Sequence, residues 1–133
     1  MAVYDRIGCE HLVNRHSAID LADGTLGLVL DEVTGGTLAQ LLLARRQLPV
    51  GEVVTIVAPL FRALADLHAA NVVHGDLAPG NVVFDAGGRP LIGDLGIALL
   101  RGTDANAAVL ASGSPGPGTS GFVAPEVVDG AAT

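Results

Sequence analysis

The sequence His-Gly-Asp-Leu-Ala-Pro-Gly-Asn at residues 74–81 carries two polar side chains, Asp76 and Asn81, on a segment that follows a predicted helix. A third polar residue, Asp94, lies near two glycines after a short predicted hairpin. Asp and Asn supply the oxygen ligands that Mg²⁺ prefers, and a nearby carboxylate can orient a hydroxyl for phosphoryl transfer. Each residue alone is more typical of a turn. Together they indicate a site for metal-assisted group transfer.

Short apolar runs and turn residues before this loop predict a mixture of strands and helices. Residues 12–21 have a mixed pattern that includes a candidate strand. The run Leu26–Leu30 is bounded by turn residues, which predicts a buried strand. Thr37 and Gln40 have the spacing of a capping box, so we expect a helix to begin there and to end near Arg46.

A longer helix is predicted over residues 51–70, directly before the loop. Its apolar residues recur at helical spacing. Pro59 lies inside this helix and should kink or divide it, because proline removes one backbone hydrogen bond. Residues 72–73 are expected to form a short strand, or simply an apolar anchor, before His74. Two brief apolar segments, 82–85 and 90–92, lie on either side of a glycine-rich turn and predict a hairpin.

The composition restricts the class of protein. The chain has 133 residues, about one domain by length, and 50% of them are apolar. A net charge of −7 without a basic cluster argues against nucleic-acid binding. The single cysteine, Cys9, fits a reducing compartment, so we expect a cytoplasmic location. No apolar run is long enough to form a membrane segment.

Four segments in order resemble the protein kinase superfamily, and in particular bacterial serine/threonine protein kinases. Residues 74–81 resemble the catalytic loop, and residues 91–98 resemble the metal-binding Asp-Phe-Gly segment, with Leu95 in place of Phe. Residues 118–126 are similar to the end of an activation segment, which closes on Ala-Pro-Glu. Residues 28–38 are similar to the strand and hinge that contact adenine. The resemblance covers nearly the whole chain.

This resemblance implies an α+β protein-kinase-like fold. Residues 1–33 would supply the remaining strands of the N-terminal lobe and the hinge. Residues 34–133 would form a truncated, mostly helical C-terminal lobe. We therefore expect one incomplete kinase domain rather than two separate domains.

The resemblance also implies roles for four residues around the loop. Asp76 would orient the substrate hydroxyl and accept its proton, and Thr119 would lie near it, as in serine/threonine kinases. Asn81 and Asp94 would bind Mg²⁺ against the phosphates of ATP. The acceptor would be a serine or threonine of a protein substrate.

The adenine site is implied by the hinge residues. Leu30 would be the gatekeeper at the back of the pocket, and the backbone of Asp31 and Val33 would meet the adenine edge. His74 is expected to be structural and to pack under the metal-binding segment. The nucleotide-binding set is thus Leu30, Asp31, Val33, Asn81 and Asp94.

Several positive charges of the kinase pattern are missing. The chain contains arginine but no lysine, so the lysine that pairs with nucleotide phosphates is absent, as is the glycine loop above them. Ala78 replaces the lysine of the catalytic loop, and Gly75 replaces the arginine before Asp76. Loss of such a donor weakens stabilisation of the transferring phosphoryl group. We therefore expect the isolated chain to be inactive. We also expect it to be only marginally stable, because the family has a buried helix after Ala-Pro-Glu that would anchor the catalytic loop and that this sequence does not include.

Two alternatives remain at the level of sequence. Aminoglycoside and choline kinase-like phosphotransferases also have His-Gly-Asp followed by Asn, so residues 74–81 alone fit them equally well. Residues 118–126 favour a protein kinase, because those small-molecule enzymes have no peptide-docking segment of this form. The missing lysines also permit a pseudokinase remnant that binds a partner.

Overall fold

The computed structural model of the chain describes residues 7–24, 26–93, 99–100, 119 and 121–125. These residues form two helices and three two-stranded antiparallel sheets, in agreement with the α+β class expected from the sequence. The elements in chain order are β1 (Arg15–Asp20), β2 (Leu26–Leu30), α1 (Leu38–Arg45), α2 (Val50–Ala69), β3 (Val72–Val73), a 3₁₀ turn (Pro79–Asn81), β4 (Val82–Phe84), β5 (Pro90–Ile92) and β6 (Leu99–Leu100).

Strands β1 and β2 form an antiparallel hairpin near the beginning of the described chain. The strand predicted at Leu26–Leu30 is present, but the expectation that it is buried is wrong. Leu28 and Leu30 are 50% and 46% exposed. The two strands form a sheet of their own. Among the described residues, no second layer covers the face of this sheet that carries Leu28 and Leu30.

Helix α1 begins where the capping box predicts. The Thr37 hydroxyl accepts a hydrogen bond from the backbone N–H of Gln40 (3.1 Å), and the Gln40 side chain accepts one from the backbone N–H of Thr37 (2.8 Å). Both bonds satisfy donors that an uncapped helix would leave free. The Arg45 guanidinium then binds Glu52 through two nitrogens, which connects α1 to the first turn of α2.

Helix α2 is continuous, so Pro59 does not divide it. Its buried residues recur at helical spacing on both sides of the proline: Ile56, Leu60, Ala63 and Leu67. Packing of this stripe against the core outweighs the loss of one backbone hydrogen bond. The broad apolar face predicted from the sequence is only partly buried, because Val54 and Phe61 are 58% and 65% exposed.

The predicted hairpin is confirmed as β4–β5, and residues 11–13 lie beside it as a third extended segment. Val82 pairs with Ile92 within the hairpin. Residues 11–13 run parallel to β5, with bonds from Val13 N–H to the Ile92 carbonyl (2.9 Å) and from Ile92 N–H to the His11 carbonyl (2.8 Å). The hairpin packs against α2. The larger buried cluster consists of residues from both elements: Ile56, Leu60, Ala63, Val82 and Ile92.

Neither helix in the described part of the chain has the length and apolar character that a membrane crossing requires.

The small core predicts a large effect of one substitution. Leu67 is 0% exposed and packs with Val72, so Leu67→Ala should lower the free energy of unfolding by about 2–5 kcal/mol through lost burial and a cavity. Leu43, in α1, is 82% exposed, and Leu43→Ala should change it by less than about 0.5 kcal/mol. Urea unfolding followed by circular dichroism compares the two, and equal effects would contradict this core.

Candidate functional site

The candidate loop connects β3 to β4. After Val73 the chain turns at Gly75, which has a φ of 81°, a conformation that glycine adopts more readily than other residues. Asp76 follows, and the chain then closes into the 3₁₀ turn, with a bond from the Asn81 N–H to the Ala78 carbonyl (2.9 Å). The positive φ at this position therefore explains why residue 75 is a glycine.

The side chain of His74 holds this loop in place through two hydrogen bonds. Its side chain is buried, with the residue 2% exposed. Nδ1 accepts a hydrogen bond from the backbone N–H of Asp76 (3.1 Å), and Nε2 lies 3.0 Å from the Gly93 carbonyl. A carbonyl only accepts, so Nε2 carries the proton and the ring is the neutral Nε2–H tautomer. The expectation that His74 packs under the chain leading to Asp94 agrees with these contacts.

Asp76 and Asn81 are in direct contact. Nδ2 of Asn81 donates to the backbone carbonyl of Asp76 (2.7 Å) and to its Oδ2 (3.0 Å). These two bonds use both protons of the amide, so the orientation of the Asn81 side chain is fixed. Its Oδ1 has no hydrogen bond within the described residues and remains available as an oxygen ligand.

Thr119 reaches Asp76 from a distant part of the sequence. Its hydroxyl donates to Oδ1 of Asp76 (2.7 Å), and its backbone N–H donates to the same oxygen. The structure therefore brings together three predicted residues: Asp76, Asn81 and Thr119. Each oxygen of the carboxylate has a defined neighbour, with Asn81 at Oδ2 and Thr119 at Oδ1.

These contacts determine the charge of Asp76. Burial raises the pKa of its carboxyl, but hydrogen bonds from the hydroxyl and backbone of Thr119 and from Asn81 lower it further than burial raises it. The net result is a pKa below the ordinary value. Asp76 is therefore ionised at neutral pH.

Asp94 lies outside the described residues, but the residue before it is placed. The backbone N–H of Gly93 donates to the Asn81 carbonyl (2.8 Å), while the Gly93 carbonyl faces His74. The residue directly before Asp94 is therefore hydrogen-bonded to Asn81. Among the described residues no group of three or more His, Cys, Asp or Glu side chains forms a metal cluster.

The predicted hinge is attached to the loop through β4. The N–H of Gly35 donates to the Phe84 carbonyl (2.8 Å), and the N–H of Phe84 donates to the Gly36 carbonyl (2.9 Å). A β carbon at Gly35 would lie 2.3 Å from the Phe84 carbonyl oxygen, so only glycine permits this approach. Because β4 directly follows Asn81, the predicted hinge and residues 74–81 meet on one strand.

The predicted adenine-contacting residues lie on this hinge. Asp31 is exposed, Val33 is partly buried, and Leu30 is 46% exposed at the end of β2. Within the described chain, the backbone of residues 32–34 makes no hydrogen bond.

Sequence reasoning missed two contacts of this region. The first is the close approach of Gly35 to Phe84, for which the Gly35-Gly36 pair was the available signal. The second is a contact between Nε2 of His16 and Oδ1 of Asp31. No local pattern indicates it, because His16 lies in β1 and Asp31 follows β2, fifteen residues later in the sequence.

The comparisons with known proteins agree with these motifs. A family model described as protein kinase domain matches residues 1–133. The chain is 36% identical over 101 residues to serine/threonine-protein kinase PknL of Mycobacterium tuberculosis, covering 76% of this chain and 24% of the relative. It is 37% identical over 123 residues to serine/threonine-protein kinase PkaB of Streptomyces coelicolor, covering 83% and 28%.

A plant relative matches over a longer stretch. CBL-interacting protein kinase 4 of Oryza sativa is 32% identical over 130 residues, which cover 96% of this chain and 28% of the relative. The chain thus spans about a quarter of the length of the curated relatives it matches.

The contact between Thr119 and Asp76 predicts a pKa change. In Thr119→Val the hydroxyl donor is lost, so the pKa of the Asp76 carboxyl should rise towards its ordinary value of 3.8. A ¹³C NMR titration of the carboxyl carbons measures this. The Asp85 carboxyl, whose pKa is lowered by the backbone N–H of Arg89, is an internal control and should not change.

The same substitution has a defined dependence on pH. Because the folded pKa of Asp76 lies below its unfolded value, ionised Asp76 stabilises the fold above the unfolded pKa, and this contribution is lost as pH falls through the folded pKa. The difference in the free energy of unfolding between wild type and Thr119→Val should therefore be largest at neutral pH and become smaller in acid. A difference that grows in acid would contradict the contact.

Proposed function

The chain belongs to the protein kinase domain family, and we propose that it carries the catalytic loop of a serine/threonine protein kinase. The reaction is transfer of a phosphoryl group from Mg-ATP to a serine or threonine hydroxyl of a protein. The observation that carries the proposal is the 2.7 Å hydrogen bond from the Thr119 hydroxyl to Asp76. It supports Oδ1 as an acceptor for a substrate hydroxyl of the same kind.

Asp76 would orient the substrate hydroxyl and take up its proton as the new oxygen–phosphorus bond forms. Its lowered pKa makes it a weak base, so orientation would be its main contribution. This suits phosphoryl transfer, in which positioning and electrostatic stabilisation provide most of the catalysis. The bond from Asn81 to Oδ2 keeps Oδ1 turned towards Thr119.

Asn81 and Asp94 are the proposed ligands of Mg²⁺. The fit rests on Asn81, whose Oδ1 is the one polar atom of its amide without a bond in the described chain. The bond between the Asn81 carbonyl and the Gly93 N–H brings the chain that leads to Asp94 to the same place. When bound, Mg²⁺ neutralises charge on the phosphate oxygens.

The hinge supplies the proposed adenine site. The backbone of Asp31 and Val33 would bind the adenine edge, and Leu30 would border the pocket at the end of β2. Among the described residues, none makes a backbone hydrogen bond with residues 32–34, which supports this, since unpaired peptide groups can exchange water for the donors and acceptors of a base.

We assign residues 1–33 to N-terminal-lobe strands and hinge, and residues 34–133 to the C-terminal lobe of the kinase fold. The backbone bonds that join Gly35 and Gly36 to Phe84 support a junction close to this point. A cytoplasmic location stays a prediction based on the free cysteine, Cys9.

A second candidate is a pseudokinase that binds a partner without transferring phosphate. It is favoured by Ala78, which is 4% exposed and carries no charge where the kinase loop has lysine. The lack of any lysine in the chain points the same way. A small-molecule acceptor receives less support, because Thr119 belongs to a segment typical of protein kinases.

The proposal predicts a selective loss of activity. In the protein at its full native length, Asp76→Asn should lower the rate of phosphate transfer from labelled Mg-ATP to a protein acceptor by at least about 100-fold, because it removes the charged acceptor that orients the substrate hydroxyl and takes up its proton. Thermal stabilisation by Mg-ATP should remain. Asp20→Asn, an exposed change in β1, is the matched control and should keep wild-type activity.

The outcomes separate the two candidates. Stabilisation of wild type by Mg-ATP without any phosphate transfer would favour the pseudokinase. Wild type with neither stabilisation nor transfer would contradict the kinase and would leave a pseudokinase that binds a partner without nucleotide. Equal activity of wild type and Asp76→Asn would remove Asp76 from the mechanism.

A further inference from the structure

His16 occupies an irregular position in strand β1. The register of the β1–β2 hairpin shifts between Arg15 and Ser17, so His16 is the extra residue of a β-bulge. A bulge of this kind changes the direction in which a side chain leaves the strand. Here the imidazole of His16 reaches Asp31, the first residue after β2.

The contact is short and exposed. Nε2 of His16 lies 2.5 Å from Oδ1 of Asp31, and the two side chains are 54% and 48% exposed. An ionised carboxylate only accepts, so Nε2 carries the proton and donates. Exposed pairs contribute little to global stability, so the effect of this pair is local to the segment that Asp31 begins.

That segment is anchored at both ends. At one end, the Asp31 N–H donates to the Asn14 carbonyl (2.9 Å). At the other end, Gly35 is bonded to Phe84 and has no room for a side chain. Between the anchors, residues 32–34 make no backbone hydrogen bond in the described chain. The two anchors therefore set the position of these peptide groups.

We propose that His16 is a positioning residue for adenine binding, acting through the carboxylate of Asp31. This inference rests on the proposed function, in which the backbone of Asp31 and Val33 meets the adenine edge. Asp31 is held through its main chain by Asn14 and through its side chain by His16. Holding it at two points limits rotation of the peptide groups that follow. Preorganised groups lose less conformational entropy when a planar base binds.

The test separates base binding from phosphate binding. In the protein at its full native length, His16→Ala should raise KM for ATP about two- to five-fold, the range that an exposed pair supports, and leave kcat unchanged. Inhibition by magnesium tripolyphosphate, which has no base, should not change. His16→Gln should restore most of the affinity, because its amide nitrogen also donates.

Two further variants show whether Asp31 mediates the effect. Asp31→Ala should raise KM for ATP to the same extent as His16→Ala, and the double variant should add little. His68→Ala is the matched control, since His68 is an exposed histidine in α2, and it should match wild type. Additive effects of the two changes, or parallel losses of ATP and tripolyphosphate binding, would overturn the proposal.

A nucleotide-free measurement distinguishes this inference from the proposed function. Backbone ¹⁵N relaxation should give lower order parameters for residues 32–34 in His16→Ala than in wild type or His68→Ala. Unchanged order parameters would overturn the positioning role even in an active kinase. Lower order parameters in a protein that binds no nucleotide would support the positioning and refute the proposed function.

Discussion

The imidazole of His74 contacts two parts of the chain that meet at the candidate site. One ring nitrogen accepts from the N–H of Asp76 and the other donates to the Gly93 carbonyl. Because the ring is buried and has both nitrogens satisfied, it fixes the start of the catalytic loop relative to the end of β5. The positions of Asp76, Asn81 and the chain entering Asp94 all depend on this contact.

Around this contact, the site is built from hydrogen bonds rather than from charge pairs. Asn81 orients one oxygen of the Asp76 carboxylate and Thr119 binds the other. Residues 74–81 contain neither arginine nor lysine. The loop therefore orders Asp76 and Asn81 without the cations that protein kinases use at these positions. Any positive charge needed for phosphoryl transfer would have to come from Mg²⁺ or from residues outside this loop.

The sequence predicted most of the local structure, because capping boxes, helical periodicity and hairpins are signals carried by neighbouring residues. The start of α1 at Thr37 and the β4–β5 hairpin are examples. Burial was harder to predict, since it depends on what covers a surface, and β2 is more exposed than its composition suggests. Asp76 and Asn81 were found as a pair, but the contact of Asp76 with Thr119 was implied only by resemblance. The bond between His16 and Asp31 had no signal, because a bulge depends on the register between strands.

Paramagnetic NMR tests most directly whether this loop binds a metal–nucleotide complex. With Mn²⁺ and ATP added in place of Mg²⁺-ATP to the protein at its full native length, the side-chain amide signal of Asn81 should broaden strongly. The amide signals of Asn14 and Asn71 should remain sharper, since neither residue belongs to the proposed metal site. If the Asn81 signal stays sharp while Mn²⁺-ATP broadens other residues, the metal and nucleotide bind elsewhere and the assignment of the catalytic loop is contradicted.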